Sequence, residues 1–272
     1  MIGQQRLLIE LQTLQGRFPR FSILVGAKGG GKKLLAQQLA KQLKAHLVTV
    51  ETKAEAVREA VEMAYKQKSS ILYLIPDADN MSNAAKNALL KVTEEPPRQA
   101  YFLMTLEDLG NTLDTLKSRG TVFYLDNYTA QELWVYANKS YDLNEQELEI
   151  ITYVCDTPGE VDRVVGTNIL GFYAFVEKVV GNIGKVSGAN AFKIGDSLAF
   201  KDGDPGYDLA IFLRTVMYYY TKKALTSKEN PLLFFKSVHV TSASLRDLRI
   251  RGINRRSLFD LWILDMRQIW RE

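Results

Sequence analysis

The apolar positions of the chain fall into two regimes. Up to Leu125, short apolar or β-rich runs (Phe21–Val25, His46–Val50, Ser70–Ile75, Ala100–Thr105 and Thr121–Leu125) alternate with stretches of helical spacing. The first helical stretch, Gln4–Gln15, sets Leu7, Leu8, Leu11 and Leu14 on one face ahead of Gly16 as a stop signal. Leu34, Leu35, Leu39 and Leu43 line a second, Ala54–Gln67 is a third, and Asn83–Glu95 is a fourth that Pro96-Pro97 ends. This alternation predicts an α/β layer with a largely parallel sheet. From Tyr128 the strands cease. Thr129 and Glu132 have capping-box spacing ahead of Leu133 and Tyr136, Asn144–Cys155 is helical, and a further helix after Pro158-Gly159 ends near Val165. A third region is helical over Ile169–Ile183, Tyr207–Leu225 and Ser257–Trp270, with a loop near Asp202–Gly206. The expected boundaries are 1–126 for the α/β domain, 127–167 for a small helical domain and 168–272 for an all-α domain.

Composition narrows the chemistry. A chain of 272 residues, 46% apolar, buries a sizeable core. No apolar run reaches the roughly 18 to 20 residues that cross a bilayer, and the start lacks a signal-peptide layout, so no membrane partner and a cytoplasmic location are expected. Cys155 is the only cysteine, and the two histidines are His46 and His239, which leaves no disulfide framework and no Cys/His zinc cluster. Cys155 is expected to pack as a small buried hydrophobe, and neither histidine is assigned a catalytic role. The net charge of +4 permits contact with nucleic acid without requiring it. Arginines concentrate in Arg246–Arg271, a solvated or subunit-facing surface or, alternatively, a DNA-binding one. Tyr218–Tyr220 and Trp262–Trp270 have the helical spacing of packing residues rather than of a base-stacking surface.

The informative stretch is Gly26-Ala27-Lys28-Gly29-Gly30-Gly31-Lys32-Lys33, between the strand Phe21–Val25 and a helix. It meets the phosphate-loop pattern through Gly31 and Lys32, where backbone N–H groups and a lysine cradle phosphates, but Lys33 stands where a hydroxyl would hold Mg²⁺. A second nucleotide-site element should be an apolar strand ending in acids. Ile71–Ile75 runs into Pro76-Asp77-Ala78-Asp79. If Pro76 occupies the metal position, Asp77 falls where the catalytic carboxylate belongs; if Asp77 takes the metal, Ala78 replaces the catalytic carboxylate. Either way one of the two roles is unfilled. The adjacent pair Glu94-Glu95 diverges on a helix and reads as a solvated helix end, not as an acid/base dyad.

Ordered motifs then carry a resemblance. Asp77-Ala78-Asp79-Asn80-Met81, Asn87-Ala88-Leu89-Leu90-Lys91 running on to Glu94-Glu95-Pro96-Pro97, Ile2-Gly3-Gln4 near the start, and Ser118-Arg119 resemble the bacterial DNA polymerase III clamp-loader subunits of the AAA+ class. That family implies an AAA+ P-loop domain with a largely parallel sheet, then a helical lid and an all-α collar that holds a ring together. Its motifs place Pro76 at the Mg²⁺ aspartate, Gly159 at a lid arginine that reaches nucleotide, and Gly120 at a cysteine. Arg163, one turn beyond Gly159, is a weaker candidate for the missing arginine.

Loss of both metal ligands and of the lid arginine resembles the family's non-hydrolysing delta-prime branch. By that resemblance Arg119, supported by Ser118, is an arginine finger that acts in trans on a neighbouring ATPase. The chain departs from the branch in lacking its four zinc-binding cysteines, and it is short in the collar. The resemblance implies partners: other clamp-loader subunits in a hetero-oligomeric ring, a sliding clamp that the first helix would contact, and primer-template DNA through the assembled complex. No cofactor, metal or zinc is required, although the cradle of Gly26, Gly29, Gly30, Gly31, Lys32 and Lys33 leaves room for ATP, ADP or phosphate. Two other readings stay open: an active ATPase, with Asp77 serving the metal, and a DNA-binding module built on Arg246–Arg271.

Overall fold

The computed structural model describes residues 2–14, 17–185, 208–227, 230–250 and 252–271. The expected loop at Asp202–Gly206, Tyr207, Gly16 and Arg251 lie outside them. The chain forms two compact units, Met1–Tyr128 and Thr129–Glu272.

The first unit is a five-stranded sheet: β1 (Phe21–Val25), β2 (His46–Thr49), β3 (Ile71–Ile75), β4 (Ala100–Leu106) and β5 (Thr121–Tyr124). Their order is β2-β3-β4-β1-β5 and every pairing is parallel. The three central strands β3, β4 and β1 are buried on both faces because both faces are covered, while the edge strands β2 and β5 are largely exposed. Ile23, Tyr73, Ile75, Phe102 and Met104 meet α3 (Ala54–Lys66), α4 (Asn83–Ala88), α5 (Leu90–Glu94) and α6 (Asp114–Lys117). Leu24, Leu72, Leu74 and Leu103 point the other way, onto α1 (Gln5–Thr13) and α2 (Lys32–Gln42). The expected single helix Asn83–Glu95 is divided at Leu89, whose N–H turns to Lys86 O at 3.1 Å while its side chain is fully buried.

Gln4 shows why a polar residue opens the unit. It is buried, and its amide clips the chain beyond β5: Nε2 donates to Asp126 O at 2.7 Å, and Asp126 N–H donates to Oε1 at 2.8 Å. Two hydrogen bonds across 122 residues of sequence fix the first helix against the last strand's exit.

The second unit is helical: α7 (Ala130–Ser140), α8 (Glu145–Val154), α9 (Pro158–Val165), α10 (Ile169–Gly181), α11 (Leu209–Thr226), α12 (Pro231–Asp247) and α13 (Arg255–Ile269). The Thr129/Glu132 capping box forms, and Asn144 with Glu147 makes another. α11 lies at the centre, packed on α8, α10 and α12. Phe212, Tyr220, Phe259 and Trp262 are fully buried, so the aromatic cluster is core. Cys155 is buried, and burial pushes its thiol well above the ordinary range.

Candidate functional site

The loop after β1 has the backbone of an anion cradle. Gly29 and Gly31 sit at φ 76° and 91°, left-handed values that favour glycine, and Gly31 turns directly into α2. A side chain at Gly26 would place its Cβ 2.8 Å from Leu125 Cβ. Tyr128 Oη donates to Gly30 O at 2.9 Å, holding the loop from the far side of β5.

Lys32 does not extend outward. Its side chain is buried, and Nζ donates to the loop's own carbonyls, Gly26 O at 2.7 Å and Ala27 O at 3.1 Å. Burial lowers its pKa, against the nearby carboxylates Glu107, Asp77 and Asp79, which favour the charged form. Lys33, the next residue of α2, is exposed.

The acids after β3 are divided in their duties. Asp77 is exposed, has a left-handed backbone at φ 49°, and its N–H donates to Thr105 Oγ1 at 3.0 Å. Asp79 is a structural acceptor: it takes the N–H of Glu107 and of Asp108 and the Asn111 side-chain amide, all at 2.9 to 3.1 Å. Burial alone would raise its pKa, but those donors outweigh it and hold the carboxyl below the usual range. At the two positions where the phosphate-loop pattern and the family resemblance expect side-chain oxygen ligands for Mg²⁺, Lys33 brings a cation and Pro76 a side chain without a donor atom, while the Asp77 carboxylate stands next to Pro76. No group of three or more His, Cys, Asp or Glu side chains is arranged for a metal among the described residues.

Arg119 lies at the opposite end of the sheet. In the parallel register Val25 pairs with Tyr124 and Ser22 with Thr121, so Gly26 leaves the carboxyl end of its strand while Arg119 precedes the amino end of the neighbouring one. Their backbones are separated by roughly 15 to 20 Å, the rise of five to six strand residues. The guanidinium is partly exposed; it donates to Thr115 O at 3.1 Å, at the end of α6, and pairs with Glu94 at 3.4 Å. Ser118 is exposed beside it and donates to Thr115 O at 3.2 Å. Gly120 is required by β1: a Cβ there would lie 2.8 Å from the Phe21 ring and 3.1 Å from Leu116 O.

In the second unit, Gly159 occupies the first turn of α9 and offers no side chain. Arg163 is committed to Asp208 at 3.2 Å and lies 3.9 Å from Glu160. Sequence reasoning passed over Arg214, which is largely buried, pairs with Glu160 at 2.9 Å and Asp156 at 3.0 Å, and caps α8 through Val154 O. Its partners all lie within residues 154–160, but 54 to 60 positions away from it in sequence, so no local spacing announces them. Among the described residues of Arg246–Arg271, Arg246, Arg249 and Arg255 are exposed but the other arginines are engaged or buried. Arg256 is tied to Asp260 at 3.1 Å, Arg267 is buried, and Arg271 donates to Gly184 O.

Residues 44–129 match the family model described as DNA polymerase III, delta subunit. The chain is 38% identical over 74 residues to DNA polymerase III subunit delta′ of Yersinia pestis, a match spanning 26% of this chain and 22% of that protein. It is 24% identical over 245 residues to DNA polymerase III subunit gamma of Buchnera aphidicola, covering 74% of this chain and 67% of the relative. Among solved structures, a DNA polymerase III gamma subunit-related protein of Thermotoga maritima aligns with a TM-score of 0.50 at 13% identity, over 96% of this chain and 99% of that one. A RuvB variant of the same organism aligns with a TM-score of 0.52 at 18% identity, over 97% and 88%.

Proposed function

We propose that this chain, which those matches support as a DNA polymerase III clamp-loader family member with an AAA+ fold, is a non-hydrolysing subunit that acts through Arg119 on a neighbour's ATP. The observation that carries the reading is the position of Arg119, a strand's length from the chain's own phosphate loop and partly open to solvent. A guanidinium there serves a phosphate only if another subunit presents it. Its present contacts, a carbonyl and a half-exposed carboxylate, are each worth about 1 kcal/mol or less and exchange readily for phosphate oxygens. The planar, permanently charged fork then meets the charge that spreads over the transferring phosphoryl group. Ser118 supports the turn that presents it.

The chain's own loop keeps its shape without the metal ligands. Lys33 and Pro76 remove both oxygen donors, and Gly159 removes the lid arginine. The subunit requires no nucleotide of its own, and its work is structural and in trans. Its partners in this reading are the other clamp-loader subunits of a hetero-oligomeric ring, with the sliding clamp and primer-template DNA reached through the assembly. The delta-prime branch is the nearest functional description.

Reconstitution with the ATPase subunits tests this. Arg119→Ala is expected to lower hydrolysis at the dependent site by ~10³-fold or more, the scale of other arginine fingers, while Lys32→Ala leaves hydrolysis by the ring unchanged. Unaltered hydrolysis and clamp loading in Arg119→Ala would sink the assignment. Mg²⁺-dependent turnover by the isolated chain, lost in Lys32→Ala, would establish an active ATPase instead.

A further inference from the structure

The helical unit carries a groove of about 450 Å³ between α7 and α8. Trp134 lines it from the first helix, and Glu145, Leu148, Glu149, Thr152 and Tyr153 line it from the second. Leu148 is buried at its base, whereas the two large rings, one from each helix, are open to solvent: Trp134 is 40% exposed and Tyr153 42%. Packing of the hairpin does not require the indole, because α7 turns Leu133 and Ala137 into the core and Trp134 stands off that face. Tyr153 is held in place by the Tyr218 ring at 5.2 Å and by a hydroxyl contact with Thr221 at 3.4 Å. Exposed aromatics scattered singly need no explanation. Two of them across one groove, with carboxylates beside them, do.

The polar groups of the groove define what it can take. Thr152 Oγ1 already donates to Leu148 O. Glu145 is exposed and forms no ion pair among the described residues, and an ionised carboxylate only accepts hydrogen bonds. The surrounding hairpin, residues 129–155, carries Glu132, Asp142, Glu145, Glu147 and Glu149 against Lys139, in a chain whose net charge is +4. Glu145 and Glu147 lie in the first turn of α8, where a carboxylate is favoured in any case, and Glu147 is spent on the capping box. That accounts for their charge but not for the rings beside Glu145. The same unit displays the matching ligand next to the groove: Lys222 on α11 lies over the Tyr218 ring at 5.6 Å and pairs with Glu149. Trp134, Tyr153 and Glu145 repeat that combination of ring and carboxylate without a cation of the chain's own.

We infer that the α7–α8 groove is a binding site for a basic peptide segment of a partner protein, with an arginine side chain laid between Trp134 and Tyr153 and its guanidinium on Glu145. The aliphatic stem covers the rings, the planar cation stacks on their faces, and its fork of donors meets the carboxylate. The Trp134 indole N–H, which makes no hydrogen bond among the described residues, is available to a carbonyl of the same peptide. A nucleic acid would find bases to stack here but would set its phosphates against carboxylates. The inference draws on neither Arg119 nor the phosphate loop.

Titration of the full chain with acetylated hexa-arginine amide, read by calorimetry and by tryptophan emission, tests it. Trp262 is fully buried and Trp270 donates to Ser237, so Trp134 is the reporter. The wild type is expected to bind with a change in emission that fades as salt rises, and to bind hexa-lysine more weakly, since an ammonium lacks the planar fork. Trp134→Ala should weaken calorimetric binding on the order of tenfold and Glu145→Gln about fivefold, whereas Glu62→Gln, at an exposed carboxylate of α3, leaves it unchanged. If Trp134→Ala fails to fold, Glu145→Gln and the emission of the wild type decide the matter. Absence of binding at low salt overturns the proposal, as does equal affinity in Glu145→Gln and wild type. An emission change produced by a primed DNA duplex or by concentrating the chain alone, and not by the peptide, also overturns it and assigns the groove to nucleic acid or to a second copy.

Discussion

Gly120 illustrates how a single position is settled by a neighbour far away in sequence. A side chain there would collide with the Phe21 ring and with Leu116 O, so the Ser-Arg turn closes on hydrogen alone. Installing the cysteine that the family resemblance places there, Gly120→Cys, is expected to cost about 1 to 3 kcal/mol, the usual range for overpacking, as a lowered urea midpoint with an unchanged slope. Phe21→Leu in the same chain should recover part of that loss. Asp79 carries a different kind of prediction. Its carboxylate is stabilised in the folded state, so it contributes stability that is present above its unfolded pKa of ~4 and is lost as pH falls through the lower folded value. Asp79→Asn should lower stability at neutral pH and flatten the acid limb of a stability-against-pH profile; an unchanged acid limb would show that the donors from Glu107, Asp108 and Asn111 do not favour the charged form. Neither effect is visible in the string of letters. Gly120 reads as a turn glycine and Asp79 as half of an acidic motif until the β1 ring and the β4 exit loop are brought beside them.

Elements were legible in the sequence where their own pattern matched the burial they met. β1, β3 and β4 are apolar on both faces because helices cover both, and the two capping boxes announce α7 and α8. The sequence pattern does not set α12 apart as a separate helix, for a physical reason: its buried positions are Ser237, Thr241 and Ser244, while its large apolar residues are partly covered or, as with Leu232 and Phe235, exposed. A search for an apolar stripe finds the wrong face. The hydroxyls let α12 approach its neighbours and serve two indoles. Trp262 Nε1 donates to Thr241 Oγ1 at 3.0 Å, and Trp270 Nε1 donates to Ser237 Oγ at 3.0 Å. Each hydroxyl in turn donates to a carbonyl four residues back in its own helix. Thr241→Val keeps the volume and strands a buried indole N–H, so it should cost about 1 to 3 kcal/mol. A double-mutant cycle with Trp262→Phe would separate the hydrogen bond from the packing. A coupling energy near zero would show that Thr241 serves only as a spacer.

For the whole molecule, the decisive property is that each unit encloses its own core. The α/β unit has two apolar clusters, one on each face of the sheet, and Gln4 closes it on Asp126, so every strand and covering helix lies between Met1 and Tyr128. The helical unit is centred on α11, with Arg214 drawing together Asp156, Glu160 and the end of α8. This division, and the direction in which the sheet's ends differ, follow from parallel connectivity that the alternation of runs already implied. What the sequence withheld was that Arg119 and Gly26 sit on neighbouring strands: their separation along the sheet follows from parallel connectivity, but their closeness across it depends on β5 pairing with β1 rather than with β4. If the units are energetically independent, residues 1–128 expressed alone should give a dispersed amide spectrum and a single cooperative thermal transition, and the full chain should unfold in two steps. Lys32 then supplies an internal check: in the excised unit its ammonium still has Gly26 O and Ala27 O to bind. Lys32→Met should therefore shift the melt of the fragment and the first or second step of the full chain by the same amount, and leave the other step where it was.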